Sequence, residues 1–179
     1  IGALAGFHAC NAPQRSSNAS SAGATAHNGG DLTVSVRSEP RSFCSCVSPD
    51  ATTYLVTLLT QARLIRINRA TEDIEPWLAE SWSRSPDGLQ YVIKLKPNLK
   101  FSDGAPLSAD DVVFSLAAAY DPASAIADSL RVLGKRLQMR VVDPLTVAVT
   151  FPGSFGPGLR VLDDLPIVSR HKLERALTA

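Results

Sequence analysis

The clearest pattern in the chain is the alternation of Leu89, Tyr91, Ile93 and Leu95 with Gln90, Val92, Lys94 and Lys96. Successive side chains of a strand point to opposite faces, so this period predicts a strand with one buried side. Leu32-Thr-Val-Ser-Val36 alternates in the same way and predicts a half-buried strand, after which residues 41–49 read as strand end and loop. Leu64-Ile-Arg-Ile67 predicts a third short strand, followed by a turn over residues 68–71. Residues 140–142 and 145–151 flank Asp143-Pro144 as the arms of a hairpin. Helical spacing appears in two places. Tyr54, Leu55, Leu58 and Leu59 predict a helix over residues 51–62 with an apolar side and Asp50 as its N-cap. Val112, Val113, Leu116 and Tyr120 give a second helix its stripe. That helix opens on Ser108-Ala-Asp-Asp111, a capping-box-like start with Asp in place of Glu or Gln, and both aspartates suit the positive end of the helix dipole. Residues 75–82 read as a short helical turn, residues 125–137 as a further helix and residues 171–177 as a last one. Pro86-Asp-Gly88 and Asp103-Gly104 read as turns and residues 152–158 as a Gly/Pro-rich link.

The first thirty residues carry none of these periods. Residues 11–30 are mostly Ser, Ala, Asn, Gly and Thr with almost no large apolar side chain. Such a stretch buries too little surface to offset the entropy of ordering it and is expected to act as a flexible tether. Before it, residues 1–7 are short and apolar, far short of a bilayer span, and fit the end of a secretory h-region. Phe7-His-Ala-Cys10 resembles the lipobox of bacterial lipoproteins, in which cleavage leaves a lipid-modified cysteine first. The resemblance implies a signal peptide and Cys10 as the lipidation site.

Charge and reactive side chains narrow the function classes. The 179 residues have a formal net charge of +1, so no broad basic field points to nucleic acid or to an anionic membrane. Arg131, Lys135, Arg136 and Arg140 follow helical spacing and read as a solvated helix face. Of the cysteines Cys10, Cys44 and Cys46, no two form a CxxC, and none sits in a Cys/His cluster with metal-ligand spacing. Cys44 and Cys46 would share a face of an extended strand, where a disulfide would be strained, and read as two small semi-apolar side chains. His8 and His27 fall in the leader and tether, and His171 reads as a surface helix residue. Nucleophile-elbow, P-loop, dinucleotide and zincin motifs are all absent from the sequence. Asp87, Asp103, Asp110 and Asp111 have turn and cap roles without calcium-loop spacing. No catalytic residue, metal or cofactor is expected, and the chain reads as a non-enzyme.

One run of segments carries a resemblance. Leu78-Ala-Glu-Ser-Trp82, Ser85-Pro-Asp-Gly-Leu89, the strand from Tyr91 to Leu95, and Lys100-Phe-Ser-Asp-Gly-Ala-Pro-Leu-Ser-Ala-Asp-Asp-Val-Val-Phe-Ser115 follow one another as in the family 5 extracellular solute-binding proteins. Asp143-Pro-Leu-Thr-Val and Leu165-Pro-Ile-Val-Ser-Arg-His-Lys-Leu173 are similar to later landmarks of that family. The resemblance implies an α/β fold of the type II periplasmic-binding-protein kind, with two lobes about a ligand cleft and a subdomain inserted in one lobe. On that pattern residues 31–48 start the first lobe, residues 49–150 form an α+β subdomain, and residues 151–179 return to the first lobe. The second lobe falls outside the chain, which then corresponds to a fragment or a truncated gene product. The implied function is capture of a solute, with peptide the commonest case, for an ABC importer. Its partners are that solute and a membrane permease, with no nucleic acid and the membrane touched only through a lipid anchor. A monomer in the bacterial cell envelope is expected. The family lines its cleft with the segment after the first strand, which here is Ser42, Phe43, Cys44 and Ser45. Its backbone groups suit an extended ligand and Phe43 offers an apolar face. Cys44-Ser-Cys46 departs from the Asp- or Asn-Pro step usual there. The alternative is an exported, surface-tethered α/β interaction or structural domain that binds no solute.

Overall fold

The structure is a computed structural model that describes residues 33–44, 46–48 and 50–177, with side chains as far as Glu174. The tether and Cys10 lie outside the described residues, as do Ser45 and Pro49. The chain divides into two units, residues 1–35 and residues 36–179. Only Thr33, Val34 and Ser35 of the first are described, and every helix and strand among the described residues belongs to the second.

The centre of the second unit is a four-stranded antiparallel sheet. Strands β3 (Ala79–Arg84), β4 (Gln90–Leu95), β7 (Gln138–Asp143) and β8 (Thr146–Thr150) lie in the spatial order β3-β4-β8-β7. The alternation in β4 appears as expected: Tyr91, Ile93 and Leu95 are buried while Gln90, Val92 and Lys94 face out. The two tight connections have the chemistry their residues provide. Gly88 sits at φ 72°, and Asp87 Oδ1 accepts the Leu89 N–H at 3.0 Å. At the β7–β8 hairpin Asp143 Oδ1 accepts the Leu145 N–H at 2.8 Å. Helix α2 (Ala109–Ala119) packs Val112 and Leu116 into the core under β7 and β8. Phe151, Leu159, Leu162, Leu165 and Ile167 join the same core, three of them from the 3-10 helix Gly158–Asp164 and its C-cap. Two small hairpins complete the strands: β1 (Ile65–Ile67) with β2 (Ile74–Pro76), and β5 (Arg131–Val132) with β6 (Lys135–Arg136). Helix α1 (Ala51–Thr60) precedes them and α3 (Arg170–Leu177) follows.

Four expectations are corrected. Residues 33–36 form no strand, since no partner ladder meets them among the described residues. Residues 75–82 are not a helical turn but the end of β2 and the start of β3. Pro76 biases Glu75 away from helical backbone, and Ser81, Trp82 and Ser83 pair with Lys94, Ile93 and Val92. Residues 125–137 are not a helix. Leu133 and Gly134 both take positive φ (51° and 72°), the requirement of a two-residue hairpin turn, and fold the segment into β5 and β6. The basic set is therefore not one helix face: Arg131 lies on β5, Lys135 and Arg136 on β6, and Arg140 on β7.

The fourth correction concerns α1, whose bounds and cap were legible. Asp50 accepts the Thr53 hydroxyl and, at Oδ1, the backbone N–H groups of Thr53 and Thr52 at 3.0 and 3.1 Å, and those donors hold its carboxyl down at about 2. The buried side, however, is Thr52, Thr53 and Thr57, not the leucines. Each hydroxyl finds a partner close by: Thr53 Oγ1 donates to Asp50 Oδ2 at 2.6 Å, Thr57 Oγ1 to the Tyr54 carbonyl at 2.9 Å, and Thr52 shares a bond with Ser38. Satisfied hydroxyls can be buried at little cost. Leu55 and Leu59 stay 49% and 79% exposed.

Candidate functional site

The run from residue 100 to 115 has the structural roles its sequence implied. Asp103 Oδ1 accepts the Ala105 N–H at 3.1 Å across the turn at Gly104. Asp111 Oδ2 accepts the backbone N–H of Ser108 at 3.0 Å, the reciprocal half of a capping box. Its other oxygen, Oδ1, accepts the N–H of Arg170, the first residue of α3, at 3.0 Å. One carboxylate thus serves two helix starts. Ser115 fixes the same junction by accepting the Val168 N–H at 2.9 Å and donating to the Asp111 carbonyl at 2.6 Å. His171 lies on the surface as expected, with Nε2 2.9 Å from Asp103 Oδ2 and Nδ1 2.8 Å from Ser169 Oγ. Lys172 and His171 together hold the Asp103 carboxyl well below the usual carboxylate range.

The segment expected to face ligand is a loop pinned to α1. The Ser42 N–H donates to Thr53 Oγ1 at 3.3 Å, and Ser42 Oγ accepts the Cys44 N–H at 3.0 Å. The Phe43 carbonyl accepts from Gln61 Nε2, just past the end of α1, at 3.0 Å. With its main chain held this way, the Phe43 side chain is 73% exposed. Among the described residues it takes no part in the core. The next turn is closed by the Val47 N–H donating to the Cys44 carbonyl at 3.1 Å. Cys46 is then tied to the loop after α2, its carbonyl accepting the Ala125 N–H at 2.8 Å.

A cavity of about 240 Å³ opens beside this turn, walled by Cys44, Cys46, Val47, Ala118, Val168 and Leu173 and mostly apolar. Both cysteines are free thiols. Cys46 beside it pulls Cys44 down to about 6, helped by the Gln61 amide, and Cys44 together with burial raises Cys46. Of the expected site residues, Cys44 lines the cavity, Ser42 holds the loop, and Phe43 faces solvent. Cys46 was not among the expected site residues. Its spacing from Cys44 was visible, but the cavity wall was not, because it is assembled from residues 118–124, 168 and 173. Among the described residues no three His, Cys, Asp or Glu side chains gather as a metal set, and no helix is long and apolar enough to cross a membrane.

Comparison with known proteins places this geometry. The family model for bacterial extracellular solute-binding proteins, family 5 Middle, matches residues 73–176. The probable D,D-dipeptide-binding periplasmic protein DdpA of Escherichia coli (strain K12) is 30% identical over 139 residues, 73% of this chain and 26% of its own length. The crystal structure of the ABC transporter substrate-binding protein CtaP from Listeria monocytogenes superposes with a TM-score of 0.69 at 28% identity, over 78% of this chain and 28% of that one. NikZ from Campylobacter jejuni, crystallised with Ni(L-His), superposes with a TM-score of 0.64 at 28% identity, over 78% of this chain and 27% of that one. The chain thus spans about a quarter of the length of these relatives and carries part of the α/β fold of type II periplasmic binding proteins. It belongs to the bacterial extracellular solute-binding proteins of family 5.

Proposed function

We propose that the chain is the part of a peptide-capturing protein that presents Ser42, Phe43, Cys44 and Ser45 to solute, for delivery to an ABC permease. On this reading residues 31–48 begin the first lobe, residues 49–150 form the inserted subdomain and residues 151–179 return to the lobe. A second lobe completes the cleft, and hinge closure on the solute creates the form that docks on the permease. Export to the cell envelope and an anchor at Cys10 go with this role, and the protein acts as a monomer. The observation that carries the reading is Phe43, a large aromatic left 73% exposed on a loop whose backbone is pinned on both sides. Core packing does not account for it, whereas an exposed ring beside backbone hydrogen-bonding groups suits an extended peptide.

The test uses the protein of the complete reading frame, titrated with peptide by calorimetry. Phe43→Ala is expected to weaken binding about tenfold while leaving the melting temperature within 1 or 2 °C, as truncation of an exposed contact residue does. Ser45→Ala is expected to weaken it less. Unchanged affinity in both variants removes this segment from the contact surface. A large fall in melting temperature for Phe43→Ala, with affinity intact, makes the ring a packing residue instead.

A further inference from the structure

Among the described residues, two buried side-chain polar atoms have no hydrogen-bond partner, Gln61 Oε1 and Arg63 Nε. Native interiors satisfy nearly all such atoms, so two orphans two positions apart call for a cause. The segment that carries them is extended. Gln61 has φ −109° and ψ 124°. The next two carbonyls point opposite ways, Ala62 to the Ile167 N–H at 3.0 Å and Arg63 to the Leu78 N–H at 3.1 Å. Alternate side chains of an extended chain share a face, with Cα atoms about 7 Å apart. Gln61 and Arg63 therefore stand on one face.

Neither orphan is relieved locally. The Gln61 amide cannot turn over, because its Nε2 donates to the Phe43 carbonyl at 3.0 Å. That bond also ties this face to the segment read above as the solute contact. Arg63 is only 3% exposed. Its guanidinium lies over the Tyr54 ring, 5.9 Å from the centroid. Among the described residues no carboxylate stands within 4.0 Å of it, and Asp164 feels its charge from farther off. A buried cation without a counter-ion is unfavourable to the fold, and an arriving anion regains that energy as affinity.

The two orphans together define a ligand. Gln61 Oε1 accepts a hydrogen bond, and the guanidinium, always protonated, donates to an anion. A phosphate or sulfate satisfies only the arginine. The last residue of a peptide satisfies both, because its amide N–H is one carbon away from its carboxylate. We propose that Gln61 and Arg63 form the subsite for the C-terminus of the captured peptide, with Arg63 binding the carboxylate and Gln61 Oε1 accepting the last amide N–H. The assignment rests on the peptide-capture reading and adds a charge requirement to it. Tyr54, 38% exposed on α1, is the ring that turns aside to admit the carboxylate.

The test is calorimetric titration of the protein of the complete reading frame with trialanine and with trialanine amide, which lacks the carboxylate. The wild type is expected to bind the free acid about 10- to 100-fold more tightly, the worth of hydrogen bonds to a charged group. Arg63→Met is expected to bind both forms alike, at the level of the wild type with the amide. Arg63→Lys keeps the charge without the planar fork and is expected to keep part of the preference. The melting temperature of Arg63→Met should stay within about 2 °C of wild type or rise above it, because no ion pair is lost. Equal affinity of the wild type for acid and amide overturns the assignment and leaves peptide capture standing. Absence of saturable heat with either form overturns the assignment together with peptide capture. Retention of the full wild-type preference by Arg63→Met overturns it too. So does a fall of more than about 5 °C in that variant's melting temperature, the mark of an arginine already paired inside the protein.

Discussion

Asp111→Ala is expected to lower the melting temperature by about 8 °C. The carboxylate is only 7% exposed and accepts three hydrogen bonds: from the Ser108 N–H at 3.0 Å, the Ser108 hydroxyl at 3.2 Å and the Arg170 N–H at 3.0 Å. Alanine leaves the N–H groups at the starts of α2 and α3 without this acceptor. Loss of a cap costs about 1 kcal/mol, and hydrogen bonds to a charged group are worth about 1.5–3 kcal/mol each. Because neighbouring contributions overlap, the total comes to about 3 kcal/mol. For a domain of this size each kcal/mol moves the melting temperature by about 2–4 °C. Asp110→Ala is the control. Asp110 lies in the same first turn, is exposed, and stands 4.0 Å from Arg170, so its removal should cost less than about 0.5 kcal/mol. Equal shifts in the two variants, read by thermal melts, would show that the dipole field alone matters and that the bridge between the helices does not.

Tyr120→Phe is expected to cost about 2 kcal/mol, and to cost it locally. Tyr120 is the C-cap of α2, and its hydroxyl is buried between two backbone groups of the segment that holds the β5–β6 hairpin. It donates to the Leu130 carbonyl and accepts the Leu137 N–H, each at 2.8 Å. Phenylalanine keeps the ring, on which the Arg136 guanidinium stacks at 5.2 Å, but orphans both backbone groups, and an unsatisfied buried group costs about 1–3 kcal/mol. Hydrogen exchange should therefore quicken over residues 130–137 more than in β4 or β8. A uniform increase across the sheet, or a melting temperature within 1 °C of wild type, would contradict this account.

These two residues also mark what the sequence could disclose. Strand β4 was legible because its partners on one face are buried and its turn carries Gly88 at positive φ, so pattern and turn chemistry agree. Helix α2 was legible for the same reason, from its cap and its stripe. That Asp111 reaches Arg170, fifty-nine positions away, was not legible, since a cap motif fixes only its own turn. The 125–137 segment misled because Arg131, Lys135 and Arg136 follow a helical spacing, while Leu133-Gly134 decided the outcome through positive φ. At β3 the deciding fact was pairing with β4, which helical periodicity in a short window cannot weigh. On α1 the stripe of leucines was real but was not the buried side. Three threonines could be buried in its place because their hydroxyls had local partners.

The candidate site divides in the same way. Phe43 and the Cys44–Cys46 spacing are properties of a short segment and can be seen in it, whereas the exposure of the ring cannot. The cavity is a property of distant pieces meeting, from the end of α2 to Leu173 on α3. The family itself was legible because its recognisable run, residues 100–115, is fixed by turn, proline and capping chemistry, each tied to particular residue types.

Solute capture is tested most directly by calorimetric titration of the protein of the complete reading frame with short peptides. The account predicts saturable one-to-one binding that raises the melting temperature with peptide concentration, as a ligand of the folded state must, and that weakens in Phe43→Ala. A protein that melts cooperatively but gives no saturable heat and no stabilisation with peptides would contradict it.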